Sequence, residues 1–133
     1  SIERENKIIV EKSKSYLESQ LTKLNGTDSK VGALKNVLWN EPDFISKNSI
    51  NHDANNFTVA YPLKDSDTLF LGRLLFKSVN GEIKGKYFVF DFSNTGQKDN
   101  YTDLKKMKMH DLLRKYTGLN LSIYGLENNL SLQ

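Results

Sequence analysis

Residues 68–93 read TLFLGRLLFKSVNGEIKGKYFVFDFS, with apolar residues on both sides of Asn80-Gly81, and this segment determines the fold. Asn-Gly adopts the two positive φ angles of a type I′ turn, whose twist matches that of a β-hairpin. The sequence therefore predicts two long antiparallel strands, 68–79 and 82–93. The turn also fixes the register of the pair, with Val79 opposite Glu82.

This register divides the apolar side chains of the hairpin between two faces. One face carries Leu69, Leu71, Leu75, Val79, Phe88, Phe90 and Phe92. The other face carries Phe70, Leu74, Phe76, Ile83, Tyr87 and Val89. A sheet with one solvated face would be polar on that side, so both faces of this hairpin need cover. We expect helices to cover one face, and curling of the sheet, a second helix layer or another subunit to cover the other. The candidate face for a subunit or partner comprises Leu69, Leu71, Phe88, Phe90 and Phe92.

Helical patterns precede the hairpin. Residues 5–24 place apolar side chains seven, four and three residues apart, which is the spacing of one helix face. Ser29 can cap a second helix. Because proline is tolerated in the first turn of a helix but not in its interior, Pro42 predicts a third, short helix that starts near Asn40. The buried residues of that helix would be Phe44 and Ile45.

The remaining elements complete an α+β pattern. Residues 57–61 alternate as a strand that stops at Pro62, residues 102–116 have helical spacing, and residues 119–124 alternate as a last strand. We expect an α+β fold in which N-terminal helices pack on a curved, mostly antiparallel sheet of about four strands, with a helix before the last strand. We expect residues 1–133 to form a single domain. Within it, residues 1–26 are either a helix of the core or the end of a coiled coil that begins upstream.

Composition excludes several classes of site. The chain has 133 residues, no cysteine and two histidines, which excludes disulfide frameworks, thiolate metal sites, cysteine nucleophiles and histidine-rich metal centres. No apolar run reaches the ~18 residues that a membrane-spanning helix needs. The sequence begins with Ser1 rather than methionine, which predicts a processed or excised form with any membrane anchor upstream. We assign no catalytic, cofactor-binding or metal-binding residue and expect a protein that is not an enzyme.

The net charge of +3 is unevenly distributed. Residues 1–66 carry nine basic and nine acidic side chains, whereas residues 67–133 carry ten and seven. The excess of basic side chains lies mainly on the predicted helix 104–116, in which Asp111 is the one acidic residue. The candidate contacts for phosphate or an acidic partner are Lys105, Lys106, Lys108, Arg114 and Lys115. The alternative interpretation is a solvated helix face that serves solubility.

Several features together resemble one protein family. The chain is rich in Asn and Lys, has no cysteine and two prolines, and starts with a mixed-charge helix ahead of the predicted sheet. In these respects it resembles the soluble C-terminal domain of Gram-positive conjugative transfer proteins of the TraM and TcpC kind, although helix 102–116 departs from the simplest form of that fold. The resemblance implies a non-enzymatic oligomeric domain of a type IV secretion channel at the cell surface, anchored through an upstream span; the alternative location is the cytoplasm.

The sequence leaves three functions open. The first is a non-enzymatic assembly or interaction domain, whose partners would be other protein subunits in a homo-oligomer. The second is a nucleic-acid-binding domain that uses helix 104–116. The third is a metal-dependent nuclease, because Asp43, Glu82 and Lys84 can be arranged as a pattern in which the carboxylates bind Mg²⁺ and the lysine activates water. Against the third, Glu82 and Lys84 directly follow the hairpin turn and so lie at an exposed tip.

Overall fold

A computed structural model describes residues 2–24, 29–45, 54–64, 69–93, 101–115 and 120–133. Its helices are α1 (Ile2–Thr22), α2 (Ser29–Leu34), α3 (Tyr101–Leu104) and α4 (Met109–Lys115). Its strands are β1 (Phe44–Ile45), β2 (Phe57–Pro62), β3 (Phe70–Val79), β4 (Glu82–Asp91), β5 (Leu121–Gly125) and β6 (Ser131–Leu132). A 3-10 turn at Leu126–Asn128 joins the last two strands. The α+β class is confirmed.

The central hairpin, β3 and β4, has the predicted turn and register. Asn80 and Gly81 have φ angles of +52° and +87°, the two positive values that a type I′ turn requires. The pairing runs without interruption from Val79 opposite Glu82 to Phe70 opposite Asp91. The absence of a bulge along this pairing means that the assignment of side chains to faces from the sequence holds.

The sheet is an antiparallel meander in which the strands lie in their order along the chain, β1 to β6. Strands β2 to β5 form its body, as the prediction of about four strands required. The two-residue strands β1 and β6 lie at the two edges of the described sheet. Short edge strands limit the backbone that the sheet exposes for pairing with another chain.

Helices of the same chain cover both faces of the hairpin. On one face, α1 and α2 pack against a cluster that includes Leu74, Phe76 and Tyr87. On the other face, α3 and α4 pack Leu104, Met109 and Leu112 against the hairpin phenylalanines. The second face therefore has the second helix layer, one of the three kinds of cover that the sequence left open.

The candidate partner face is consequently internal. Phe90 and Phe92 are fully buried, Leu71 and Phe88 nearly so, and Leu69 packs at the margin of the same cluster. The prediction that these five residues form an oligomer or partner surface is wrong, because the segment from α3 to α4 covers them.

Two further predictions about helices are corrected. The helix expected near Asn40 is absent, because Phe44 and Ile45 extend as β1 and pair with Ala60 and Val59. The helix expected over 102–116 is divided into α3 and α4 by residues 105–108. The physical cause of this division is a pair of buried charged side chains, described below, which bind the helix ends on either side of it.

The buried hydroxyl of Tyr61 leads to a prediction at alkaline pH. Tyr61 is fully buried on β2, and its hydroxyl has no hydrogen-bond partner among the described residues; the hydroxyl of nearby Ser13 donates to the Ile9 carbonyl. Burial raises the pKa of Tyr61 to about 12, with Ser13 opposing the shift. The folded state therefore keeps a proton that the unfolded state loses above about pH 10. Stability contributed by this group is complete below about pH 10 and falls by roughly 1.4 kcal/mol per pH unit up to about pH 12.

We expect Tyr61→Phe to keep the free energy of unfolding at pH 7 within about 1 kcal/mol of wild type, because it removes an unsatisfied buried group. It should also flatten the loss of stability above pH 10, which urea unfolding at a series of pH values would measure. Burial also raises the pKa values of Tyr16 and Tyr87, so part of the alkaline loss should persist in the variant. An unchanged slope in Tyr61→Phe would contradict this account.

Candidate functional site

The candidate site is built around Arg73, a charged residue on the apolar second face of β3. Its side chain is 3% exposed, and its guanidinium lies under the connection between α3 and α4. Nη2 donates to the carbonyls of Lys105 at 3.0 Å and Met107 at 3.2 Å, and Nη1 donates to the carbonyl of Gly72 at 2.9 Å. The last carbonyls of a helix lack partners within the helix. Arg73 therefore satisfies backbone groups where α3 ends.

Asp43 makes the complementary contact at the start of α4. Its carboxylate, 8% exposed, accepts a hydrogen bond from the Met109 N–H and lies 3.8 Å from Nε of Arg73. The first N–H groups of a helix likewise lack internal partners. Burial raises the pKa of the Asp43 carboxyl above its usual value, while the Met109 N–H, Arg73, Lys108 and His110 act in the opposite direction. The two charged residues thus hold the end of one helix and the beginning of the next.

This arrangement explains why the lysine-bearing segment is not helical throughout. A continuous helix would use the carbonyls of Lys105 and Met107 and the N–H of Met109 in its own hydrogen bonds. In the structure, Arg73 and Asp43 take these groups instead. Residues 105–108 consequently form a connection that passes over the buried ion pair.

A cleft of about 460 Å³ opens beside this connection. Lys105, Lys106 and Lys108 line it from one side, and the segment around Pro42 lines it from another. Lys106 and Lys108 are exposed and Lys105 is half-buried. We call Lys105, Lys106, Lys108 and the cleft that they line the basic cleft.

The basic cleft has an excess of positive charge. Its described lining carries four cationic side chains, the three lysines and Arg73, and two carboxylates, Glu41 and Asp43. The described lining therefore has two more cationic than anionic side chains. Such a surface attracts anions.

Only part of the predicted cationic set meets at this cleft. Arg114 and Lys115 lie in the last turn of α4, outside the described lining. Cations at a helix C-terminus interact favourably with the helix dipole, which gives these two residues a structural reason for their position. The sequence did not single out Arg73, although an arginine between Leu71 and Leu75 on an apolar strand face is a detectable signal of a buried charge.

The nuclease pattern is not assembled. Asp43 contacts Arg73, whereas Glu82 pairs with Val79, six residues further along β3. At about 3.3 Å per residue, that separation is roughly 20 Å along the strand. Asp43, Glu82 and Lys84 therefore cannot share one metal ion, and among the described residues no group of three potential ligands is placed to hold one.

Comparisons with known proteins give no relative for this chain. No family model, no curated protein and no solved structure matches it. Within the described parts of the chain, none of the helices has the length and hydropathy needed to cross a membrane. The resemblance to conjugative transfer proteins stays a prediction.

Proposed function

We propose that this protein is a non-enzymatic binding domain that recognises an anionic partner at the basic cleft. The observation that carries the proposal is the convergence of Lys105, Lys106 and Lys108 on a cleft whose one buried carboxylate, Asp43, lies against Arg73. The buried pair fixes the backbone from which the lysines project, so the starting points of their side chains are set before a partner arrives. Preorganisation of this kind reduces the entropy lost on binding.

The proposal keeps the sequence-based expectation of an interaction domain but changes its surface. The hairpin face that favoured self-assembly is internal, so the basic cleft is the better-supported contact. Assembly into a homo-oligomer, a role in conjugative transfer and a location at the cell surface all remain predictions.

The proposal is tested with a polyanion that carries phosphates and no bases. We would measure fluorescence anisotropy of a labelled abasic deoxyribose-phosphate oligomer of about 12 units as salt is increased. We expect binding at low salt, and a double variant Lys106→Ala/Lys108→Ala should reduce the slope of log K against log salt by about 1.4, or ~0.7 for each lost contact.

The control variant is Lys77→Ala/Lys84→Ala, which removes the same charge from two exposed lysines paired across the hairpin. It should bind the oligomer with nearly the wild-type salt slope. Equal losses in the two double variants would show that net charge alone is responsible and would overturn the proposal. Absence of binding by the wild-type protein at low salt would overturn it as well.

A further inference from the structure

A second concave site lies on the opposite face of the sheet. It is a groove of about 570 Å³ between α2 and the strands β3, β4 and β5. The sheet contributes Phe70, Tyr87, Val89 and Tyr124 to its lining, and α2 contributes Lys30 and Ala33. Phe70 is 44% exposed and Tyr124 is half-buried, so both rings have surface that a ligand can reach. We call this site the aromatic groove.

Gly72 keeps the floor of the aromatic groove open. A Cβ at this position would lie 2.6 Å from Cδ1 of Leu63 and 3.1 Å from Cε1 of Tyr87. The first distance is shorter than Cβ contacts in proteins, so a larger residue would shift the end of the Leu63 side chain, and the Tyr87 ring would have to move by a few tenths of an ångström. A residue larger than glycine at this point of β3 would therefore change the positions of two side chains that line the groove.

The aromatic groove, like the basic cleft, favours negatively charged ligands. Nζ of Lys30 lies 5.0 Å from the ring centroid of Tyr124, within the range of a cation–π contact, and Lys64 lines the same groove. The described lining contains these two lysines and no carboxylate. Asp91 lies on β4 opposite Phe70, and its Oδ1 accepts hydrogen bonds from the N–H and the hydroxyl of Ser93.

The two sites adjoin each other at one end of the sheet. Leu63 lines both of them, and the neighbouring residues Gly72 and Arg73 line the groove and the cleft respectively. The backbone around Leu63 is held by hydrogen bonds from the Leu38 N–H to the Pro62 carbonyl and from the Lys64 N–H to the Asn36 carbonyl. A flexible chain that crosses the segment around Leu63 can contact both sites at once.

We propose that the aromatic groove binds bases of a single-stranded nucleic acid whose phosphates lie at the basic cleft. This inference rests on the proposed function and names its partner. A cationic surface next to exposed aromatic rings is the arrangement that single-strand-binding proteins use, because every base has a π face that stacks on such rings. A single-stranded nucleic acid has a flat base beside every phosphate, whereas an acidic peptide matches the exposed rings of Phe70 and Tyr124 only where it carries aromatic residues.

The test compares two probes of equal charge, a labelled oligothymidylate of about 12 nucleotides and the abasic oligomer of the same length. We expect the wild-type protein to bind the base-bearing probe about tenfold or more tightly than the abasic one. Phe70→Leu and Tyr124→Leu should each lower this affinity ratio severalfold. The control Val79→Ala, at an exposed apolar residue of the hairpin tip, should leave the ratio unchanged.

Ultraviolet cross-linking provides a second measurement that does not require a variant to fold. Cross-links from thymine bases should map by mass spectrometry to peptides that contain Phe70 or Tyr124. Equal affinity for the two probes, or cross-links confined to other peptides, would overturn the inference. If abasic binding still depends on Lys106 and Lys108 in that case, the proposed function stands while the nucleic-acid inference fails.

Discussion

Replacing Arg73 with alanine should lower the free energy of unfolding by about 3–5 kcal/mol. The variant loses the donors to the carbonyls of Gly72, Lys105 and Met107, and it leaves the Asp43 carboxylate buried without its neighbouring guanidinium. A buried charge that loses its partner costs far more than an exposed one. Equilibrium unfolding in guanidinium chloride at pH 7 measures the effect.

Two controls distinguish the effect of losing the buried ion pair from the effect of losing a positive charge alone. Lys77→Ala removes an exposed cation from the same face of β3 and should change the free energy of unfolding by less than about 0.5 kcal/mol. The double variant Arg73→Met/Asp43→Asn removes both charges and should be less destabilised than Arg73→Ala, since no unpaired ion stays buried. A loss in Arg73→Ala no larger than that in Lys77→Ala would contradict the structural role of the pair.

The loss in the free energy of unfolding caused by Arg73→Ala should also depend on pH. Without the guanidinium, the pKa of Asp43, already raised by burial, should rise further in the folded state. A carboxyl whose pKa is raised on folding contributes its stability at low pH and loses it as pH increases. The difference between variant and wild type should therefore shrink as pH falls toward about 4.

Phe90→Ala should lower the free energy of unfolding by about 3–5 kcal/mol, because the ring is fully buried between β4 and the helices α3 and α4. The loss should be independent of protein concentration, since the ring packs within one chain rather than between copies. Unfolding curves recorded over a wide range of protein concentrations measure both properties.

The matched control for this prediction is Phe70→Ala, the same substitution on the neighbouring strand at a ring that is 44% exposed. It should cost less than half as much as Phe90→Ala, because less apolar surface leaves water when the protein folds. A concentration-dependent midpoint that disappears in Phe90→Ala would instead indicate that this face lies between subunits.

The hairpin could be predicted from the sequence because its determinants are local. Asn80-Gly81 specifies the turn, the turn specifies the register, and the register assigns every side chain to a face. The same reasoning showed that both faces need cover. It did not show which segment supplies the cover, because that depends on contacts between residues far apart in the chain.

The two errors about helices have a common origin in contacts between residues far apart in the chain. Helical periodicity over residues 102–116 is real, but tertiary hydrogen bonds to Arg73 and Asp43 interrupt the helix between Leu104 and Met109. The strand β1 was missed for a similar reason, since two residues form a strand only because β2 is beside them.

The candidate site could be predicted in part. The lysines of the basic cleft were identified from the charge distribution, whereas the cleft itself exists only because α3 and α4 fold back over Arg73. The aromatic groove was not predicted, because Phe70, Tyr87 and Tyr124 have the alternation of ordinary core residues. Nothing in that alternation shows that α2 ends at Leu34 and that Phe70 and Tyr124 stay partly exposed.

Anion binding at the basic cleft can be located residue by residue with nuclear magnetic resonance. Backbone amide shifts would be followed while the abasic deoxyribose-phosphate oligomer is added to the wild-type protein at low salt. We expect the largest shifts on residues 105–108 and on their neighbours Asp43 and Arg73. Shifts centred on the hairpin tip around Lys77 and Lys84, or no shifts at all, would contradict it.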